Sequence, residues 1–159
     1  VQNVGKATVY GLELEAQAMP TPGLTLFAQV GLARDKYDEL SPGSTAAINN
    51  AKRLPVTPRA SGQVGFTYDL PVSDRIDLKL GSDLSYEGSY FAAVDNTLLI
   101  DSYWRWNGFV GLGFGERFEA RLTARNLSDD KTVVCCSTQS SAVTVLPPRT
   151  WMLELRYRY

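Results

Sequence analysis

Hydrophobic and polar residues alternate strictly along the last nine residues of the chain. Trp151, Leu153, Leu155, Tyr157 and Tyr159 occupy one phase, and Met152, Glu154, Arg156 and Arg158 occupy the other. Successive side chains of a β-strand point to opposite faces, so this pattern predicts a strand with one largely apolar face. Aromatic rings lie at both ends of that face and leucines between them, an order typical of a strand that crosses a bilayer.

Six earlier stretches repeat the alternation, and the connections between them alternate in length. We expect strands at about 4–18, 24–34, 59–70, 76–87, 104–114 and 118–125. Short turns are expected at 20–23, 71–75 and 115–117, and long irregular loops at 35–57, 88–102 and 127–148. Outer-membrane barrels alternate in this way, with tight periplasmic turns and long outer loops.

Aromatic residues fall into two belts when the strands are aligned by their turns. Tyr10, Tyr86, Trp104, Trp106 and Trp151 lie at the long-loop end, and Tyr68, Phe114, Phe118, Tyr157 and Tyr159 at the short-turn end. Such rings favour the two membrane–water interfaces. The sequence therefore predicts an all-β fold, an antiparallel transmembrane β-barrel arc of about seven strands. A soluble β-sandwich binding module is the alternative, but its strands average about 5–6 residues and lack this two-belt order.

The odd number of strands has a consequence for closure. A simple antiparallel meander closes only with an even number, and open edges in lipid leave backbone groups unpaired at several kcal/mol each. We therefore expect residues 1–159 to be one arc of a larger barrel. The remainder comes either from a preceding part of the same protein or from other chains.

Composition and charge exclude several classes of function. Lys and Arg total 16 against 17 Asp and Glu, so no net field would recruit nucleic acid. The chain has no histidine, which removes Ser/His and Cys/His nucleophile systems, and no glycine-rich loop cradles phosphate. We expect no enzyme, no catalytic residue and no cofactor. Asp35, Asp38 and Glu39 could offer oxygen ligands to calcium, but their spacing fits no calcium loop, so solvated charge is the expectation and no metal site is predicted.

Two further groups of residues have alternative interpretations. Glu13 and Glu15 face the same way on the first strand, and we expect both to be charged groups in the barrel lumen. We expect them to form ion pairs with four arginines, Arg121, Arg125, Arg156 and Arg158. The same arginines could instead line a path for an anionic ligand.

Cys135 and Cys136 are adjacent in the last long loop. Their Cα atoms are about 3.8 Å apart, so a bridge between them would be strained. For these two cysteines, a strained disulfide bridge between them or bonding to partners outside this segment is preferred to metal ligation.

Four motifs in order resemble the C-terminal end of TonB-dependent outer-membrane receptors. They are the strand Val4-Gly-Lys-Ala-Thr-Val-Tyr-Gly-Leu-Glu-Leu-Glu15, the segment Arg53-Leu-Pro-Val-Thr-Pro58, the element Ala124-Arg-Asn-Leu-Ser-Asp129, and Pro148-Arg-Thr-Trp before a terminal aromatic strand. The likeness covers essentially the whole chain.

The resemblance implies a barrel of about 22 strands, plugged by an N-terminal domain that this chain does not contain. It further implies import of a bulky nutrient, such as a siderophore or other metal chelate or an oligosaccharide, with energy from TonB. Tyr157 and Tyr159 would form the signal read by the barrel-assembly machinery. The expected setting is the outer membrane of a Gram-negative bacterium, in contact with its lipid, with the long loops extracellular and the C-terminus periplasmic. A passive or oligomeric pore is the alternative function. The resemblance assigns neither a ligand-binding residue nor a substrate. Tyr37, Tyr90, Phe91 and Tyr103 could stack on a ligand or belong to the belt.

Overall fold

The computed structural model describes residues 5–136 and 143–159, and most of them form β-strands. The long strands are Gly5–Thr21 (β1), Leu24–Leu40 (β2), Ala60–Ser73 (β3), Ile76–Glu87 (β4), Tyr103–Phe114 (β7), Phe118–Arg125 (β8) and Thr150–Tyr157 (β11). The connections carry a short helix, Thr45–Ile48 (α1), and the short strands Tyr90–Phe91 (β5), Leu99–Ile100 (β6), Val133–Cys136 (β9) and Val143–Val145 (β10). No helix in these two ranges has the length and apolar character needed to cross a membrane.

The seven long strands form one antiparallel sheet in the order β1-β2-β3-β4-β7-β8-β11. Each long strand after β1 therefore pairs with the long strand that precedes it in the chain, as in an antiparallel meander. β1 and β11 are the two edges of the sheet, and nothing in the described residues closes one onto the other. The predicted all-β antiparallel arc is confirmed.

The register holds the apolar phase on one face across the whole sheet. Val110 pairs with Leu80 on one side and Leu122 on the other, and Leu122 pairs with Leu153. The same phase continues through β3, β2 and β1. These side chains point away from the protein, with Leu153 65% exposed. Since exposed apolar area costs about 25 cal/mol per Å² in water, this face requires an apolar surrounding phase.

The pairing of the strands brings aromatic rings of each predicted belt into contact. The rings of Tyr86 and Trp104 lie 4.7 Å apart at the long-loop end, and those of Phe114 and Phe118 lie 5.8 Å apart at the short-turn end. Trp106 also directs its indole N–H to Ser82 Oγ at 2.8 Å, which satisfies the only polar atom of the ring.

Few side chains are buried between elements. Among the described residues the buried apolar ones lie mainly in the loops, at Ala46, Ala51, Tyr90, Ile100 and Leu146, and only Ala124 belongs to the long strands. The sheet thus has no packed core of its own. This is the expected state of a barrel wall, whose faces meet lipid and lumen.

The loop expected at 35–57 begins later than predicted, because β2 continues to Leu40 and pairs with the start of β1. Two ion pairs lie along this extension. Lys6 Nζ lies 3.2 Å from Glu39 Oε2, and Lys36 Nζ lies 2.8 Å from Asp38 Oδ1. Both faces of the extension are polar, so no period of two marks it as a strand. The remainder of the expected loop includes α1.

Two of the predicted short turns are narrower in the structure. β3 runs to Ser73, so only Asp74 and Arg75 connect it to β4. Pro71 lies within the strand next to an irregularity in the register, where the missing N–H of proline is tolerated.

Glycines at positive φ form part of the first and third turns. β1 runs to Thr21, so Pro22 and Gly23 alone form the first turn, and Gly23 has φ +80°. A Cβ at Gly23 would also collide with the carbonyl of Asp69. The predicted turn at 115–117 is confirmed, with Gly115 at φ +58°.

Candidate functional site

Amide and carboxylate side chains form a hydrogen-bonded row on the polar face of the sheet. Gln29 Nε2 donates to Gln63 Oε1 at 2.8 Å, and Gln63 Nε2 donates to Asp83 Oδ2 at 3.1 Å. Asn107 Nδ2 donates to the same Asp83 oxygen at 2.9 Å, so the row joins β2, β3, β4 and β7. Such a row stiffens the wall and still offers polar atoms to the lumen.

Two phenylalanines of the polar face lie over glycines of a neighbouring strand. Phe27 covers Gly65 and Phe109 covers Gly81, and a Cβ on either glycine would collide with the ring. Each aromatic thereby shields a backbone that has no side chain of its own. The interpretation of β2 from its sequence left Phe27 unexplained. An aromatic in the polar phase, opposite a glycine on the next strand, is the signal that would have identified both pairs.

Arg121 stacks on the second of these rings. Its guanidinium carbon lies 4.1 Å from the centroid of Phe109, within the range of a cation–π contact. Its Nε is buried and has no hydrogen-bond partner among the described residues. The two phenylalanines, Asp83, Asn107 and Arg125 line one side of a groove of about 720 Å³ on the polar face.

The expected pairing of Glu13 and Glu15 with four arginines is wrong. The two glutamates lie on β1, whereas the arginines lie on or beside β8 and β11, at the opposite edge of the sheet. The meander places strands in chain order, so strands far apart in sequence do not become neighbours. Glu13 and Glu15 instead line a groove of about 340 Å³ together with Glu87 and Arg105.

Ion pairs near the arginines are local. Arg156 Nη2 donates to Glu154 Oε1 at 2.9 Å on the same strand, and Lys79 Nζ lies 3.7 Å from Glu119 Oε2 on a nearby strand. All four side chains are partly exposed, so each pair contributes about 0–1 kcal/mol.

The acidic residues considered as calcium ligands each have a partner in the protein. The side chain of Asp35 is fully buried and accepts from Arg53 Nε and Nη2, both at 3.2 Å, so the expectation of solvated charge is wrong for this residue. Asp38 contacts Thr8 and Lys36, and Glu39 contacts Lys6. Within residues 5–136 and 143–159, no three Cys, Asp or Glu side chains are grouped for a metal.

The Asn-Leu-Ser-Asp element ties together the base of the last long loop. Asn126 is 5% exposed, and its Nδ2 donates to the carbonyls of Asp130 and Pro147, both at 2.8 Å. Asp129 Oδ1 accepts from the backbone N–H of Arg149 at 3.0 Å. That bond, helped by the charge of Lys131, lowers the pKa of Asp129 below its usual 3.8. The motif therefore has a structural role, bringing the end of β8 next to the start of β11.

The remaining predicted residues lie in the last loop and the last strand. Cys135 and Cys136 belong to β9, where their backbones pair with Thr144 and Val143 of β10, and their side chains lie outside the described residues. Tyr157 pairs with Phe118 in the short-turn belt. Tyr159 follows the strand and is fully exposed.

Residues 1–127 match the family model described as TonB dependent receptor-like, beta-barrel. The chain belongs to this receptor family. The solved structures that it resembles include receptors and a transporter.

The solved structures share the fold at low identity. The ferric yersiniabactin uptake receptor FyuA from Yersinia pestis superposes with a TM-score of 0.83 at 22% identity, over 98% of this chain and 24% of that one. The siderophore receptor PiuA from Acinetobacter baumannii gives 0.80 at 21% identity, over 99% of this chain and 22% of that one. The chain thus spans about a quarter of the length of these receptors.

One curated relative comes from a fungus. It is a probable alpha-L-arabinofuranosidase A from Aspergillus terreus, 29% identical over 113 residues. The match covers 70% of this chain and only 15% of that protein, a share too small to transfer an activity.

Proposed function

We propose that this chain is the C-terminal portion of a receptor barrel that imports a bulky ferric chelate across the outer membrane, driven by TonB. One observation carries the proposal, namely a register that keeps one face apolar across seven paired strands and the other face polar. A wall with lipid on one side and an aqueous lumen on the other needs this division. The two edges of the sheet, β1 and β11, would join further strands of the same barrel.

The orientation and the partners follow from the same proposal. The long connections, at 41–59, 88–102 and 126–149, would be extracellular, and the two- and three-residue turns and the C-terminus would be periplasmic. Tyr157 and Tyr159 would serve in recognition by the barrel-assembly machinery. The plug and the contact with TonB would lie in other parts of the protein.

A ferric chelate is the preferred substrate class. The similar structures include a ferric yersiniabactin uptake receptor, a siderophore receptor and a ferric citrate transporter. The polar face also combines aromatic rings with arginines, groups that stack on and neutralise an anionic chelate. An oligosaccharide would use the same rings without requiring the positive charge.

Uptake by the intact receptor tests this function. Cells that carry the receptor should accumulate radioactive iron from a ferric siderophore, and accumulation should stop when TonB is deleted or the proton-motive force is collapsed. Accumulation that continues without TonB and without the proton-motive force would contradict energised import and favour the passive pore. A parallel assay with a labelled oligosaccharide distinguishes the two substrate classes.

A further inference from the structure

A shallow groove of about 380 Å³ lies on the apolar face of the sheet, near the long-loop end of β1 and β2. Tyr10 of β1 pairs with Arg34 of β2, and Leu12 pairs with Leu32. Directly paired residues of an antiparallel sheet share a face, so these four side chains lie together on the apolar face. Arg59, just before β3, lines the groove as well. We call this site the lipid-face groove.

Arg34 lies at one boundary of the apolar band. It is the tenth residue after Leu24 on β2 (34 − 24), which corresponds to a depth of about 26 Å at a rise of about 3.4 Å per residue and a strand tilt of about 40°. The apolar band of an outer-membrane barrel is about 25 Å tall. We therefore expect the Arg34 guanidinium at the level of the lipid headgroups, beside the Tyr10 ring, where interfacial tyrosines concentrate.

The two arginines of this groove differ from the lysine beside them. Arg34 and Arg59 are exposed, and within residues 5–136 and 143–159 neither side chain makes a hydrogen bond or an ion pair. The backbone of Arg59 is held next to β2, because its carbonyl accepts from the N–H of Ala33 at 3.0 Å. Lys36, two residues beyond Arg34, is paired, since its Nζ lies 2.8 Å from Asp38 Oδ1. The two arginine charges are thus available to an anion from outside the protein.

Basic residues of the apolar phase occur at one end of the wall. In the seven long strands that the structure describes, this phase carries Lys or Arg only at Lys6, Arg34 and Lys36, all at the long-loop end. At the short-turn end the same phase closes on uncharged residues, among them Leu24, Ile76, Phe114, Phe118 and Tyr157. A bilayer with two equal leaflets would favour basic residues at both ends alike. The distribution therefore indicates an anionic lipid in the leaflet at the long-loop end.

Phosphate is the anion that suits these groups. A guanidinium presents a planar fork of N–H donors that matches phosphate oxygens in pairs, and the Tyr10 hydroxyl offers a further donor. Beyond these polar groups, Leu12 and Leu32 continue the groove into the apolar band, where they meet acyl chains. A free phosphate ion would use only the polar end of the groove, whereas a lipid would use both ends.

We propose that the lipid-face groove binds one phosphorylated lipid of the outer leaflet, with a phosphate held by Arg34 and Arg59 and an acyl chain along Leu12 and Leu32. The proposal rests on the proposed function, in which the long-loop end of the sheet meets the outer leaflet. It assigns a lipid site to the outside of the wall, on the face opposite to the polar groove that holds Phe109 and Arg125.

Native mass spectrometry of the full receptor in detergent tests the proposal, with lipid A carrying both of its phosphates as the probe. Arg34→Gln and Arg59→Gln should each weaken the binding of one lipid A molecule by about fivefold, because a basic residue near the membrane surface contributes about 1 kcal/mol to the attraction of an anionic lipid. The double variant should weaken it by about 25-fold.

Arg75→Gln is the matched control. Arg75 is also exposed, and its side chain makes no hydrogen bond or ion pair in the part of the chain that the structure describes, but it lies in the turn between β3 and β4 at the other end of the sheet. This variant should bind lipid A as the wild type does. Lipid A stripped of its phosphates should bind the wild type as weakly as intact lipid A binds the double variant. Excess inorganic phosphate should not displace the lipid.

Unchanged binding in the double variant would overturn the proposal. Equal weakening by Arg75→Gln would overturn it as well, because it would indicate general charge attraction. Equal binding of the stripped lipid would exclude the phosphate contact, and displacement by inorganic phosphate would mean an anion site rather than a lipid site.

Heat-modifiable migration verifies that each variant is folded. Should Arg34→Gln fail to assemble, Arg34→Lys keeps the charge without the planar fork and should weaken binding by a smaller factor. Full affinity in both Arg34→Lys and Arg59→Gln would then refute the site. The assay needs neither TonB nor a chelate, so a negative result leaves the uptake function standing, and a receptor that fails in uptake can still show the lipid site.

Discussion

Arginine substitution at two adjacent positions of β2 tests which face of the sheet meets lipid. Val30 lies in the apolar phase between Leu14 of β1 and Gly62 of β3, and is 42% exposed. Gln29 lies in the polar phase between Glu15 and Gln63. Val30→Arg and Gln29→Arg therefore introduce the same side chain at nearly the same depth, on opposite faces.

The expected cost depends on the depth of Val30 in the membrane. β2 pairs with Tyr68 at Leu24 and with Tyr10 at Arg34, one aromatic from each belt. A strand rises about 3.4 Å per residue, and a tilt of about 40° leaves about 2.6 Å of depth per residue. The ten steps from Leu24 to Arg34 (34 − 24) then span about 26 Å, which matches an apolar band of about 25 Å. Val30 lies six steps from one end and four from the other, close to the centre.

Near the midplane, Val30→Arg should destabilise the barrel by about 2–4 kcal/mol, a factor of about 30 to 700 in the unfolding equilibrium. Gln29→Arg loses one hydrogen bond to Gln63 and gains an opposite charge at Glu15, so its cost should stay within about 1 kcal/mol. Reversible unfolding of the complete receptor in lipid vesicles measures both. Equal costs, or a larger cost for Gln29→Arg, would refute the assignment of the faces.

Three further predictions concern single sites. Deleting Tyr159 or replacing it with Asp should lower the amount of receptor in the outer membrane, as measured by fractionation and blotting; unchanged levels would contradict an assembly signal. Mass spectrometry of unreduced protein should find Cys135 and Cys136 oxidised, to each other or to a cysteine elsewhere, and ready alkylation of both without reductant would count against this. The lowered pKa of Asp129 means that its bond to Arg149 is intact above the usual pKa of 3.8 and is lost only as the pH falls below it. Hydrogen exchange at Arg149, corrected for the intrinsic rate, should show that acid transition, and Asp129→Asn should abolish it; a transition unchanged in the variant would disprove the assignment.

The strands could be predicted because successive side chains of a strand point to opposite faces, and here one face is apolar and the other polar. Leu153, Val110 and Leu80 share a face only if the register is as found, and a slip of one residue would bring charged side chains to that face. The two aromatic belts could be predicted for the same reason, because Trp104 and Phe114 lie near the two ends of one strand, β7.

The structure at the long-loop end could not be predicted, because outside the apolar band both faces of a strand are polar. The extension of β2 to Leu40 carries polar pairs such as Lys6–Glu39, which leave no periodic pattern. The bonds of Arg53 to Asp35 and of Asn96 to Arg53 join segments 18 and 43 residues apart in the chain. A single sequence contains no signal for such contacts.

Spin labels placed singly along β11 in the reconstituted receptor test most directly whether this sheet is a barrel wall. The four positions are Leu153, Glu154, Leu155 and Arg156, which alternate between the faces. Labels at the two leucines should collide mainly with oxygen, which concentrates in the bilayer, and labels at Glu154 and Arg156 mainly with a water-soluble nickel chelate. This alternation with a period of two is the predicted result. Preference for the nickel chelate at all four positions would contradict the membrane assignment on which the proposed function rests.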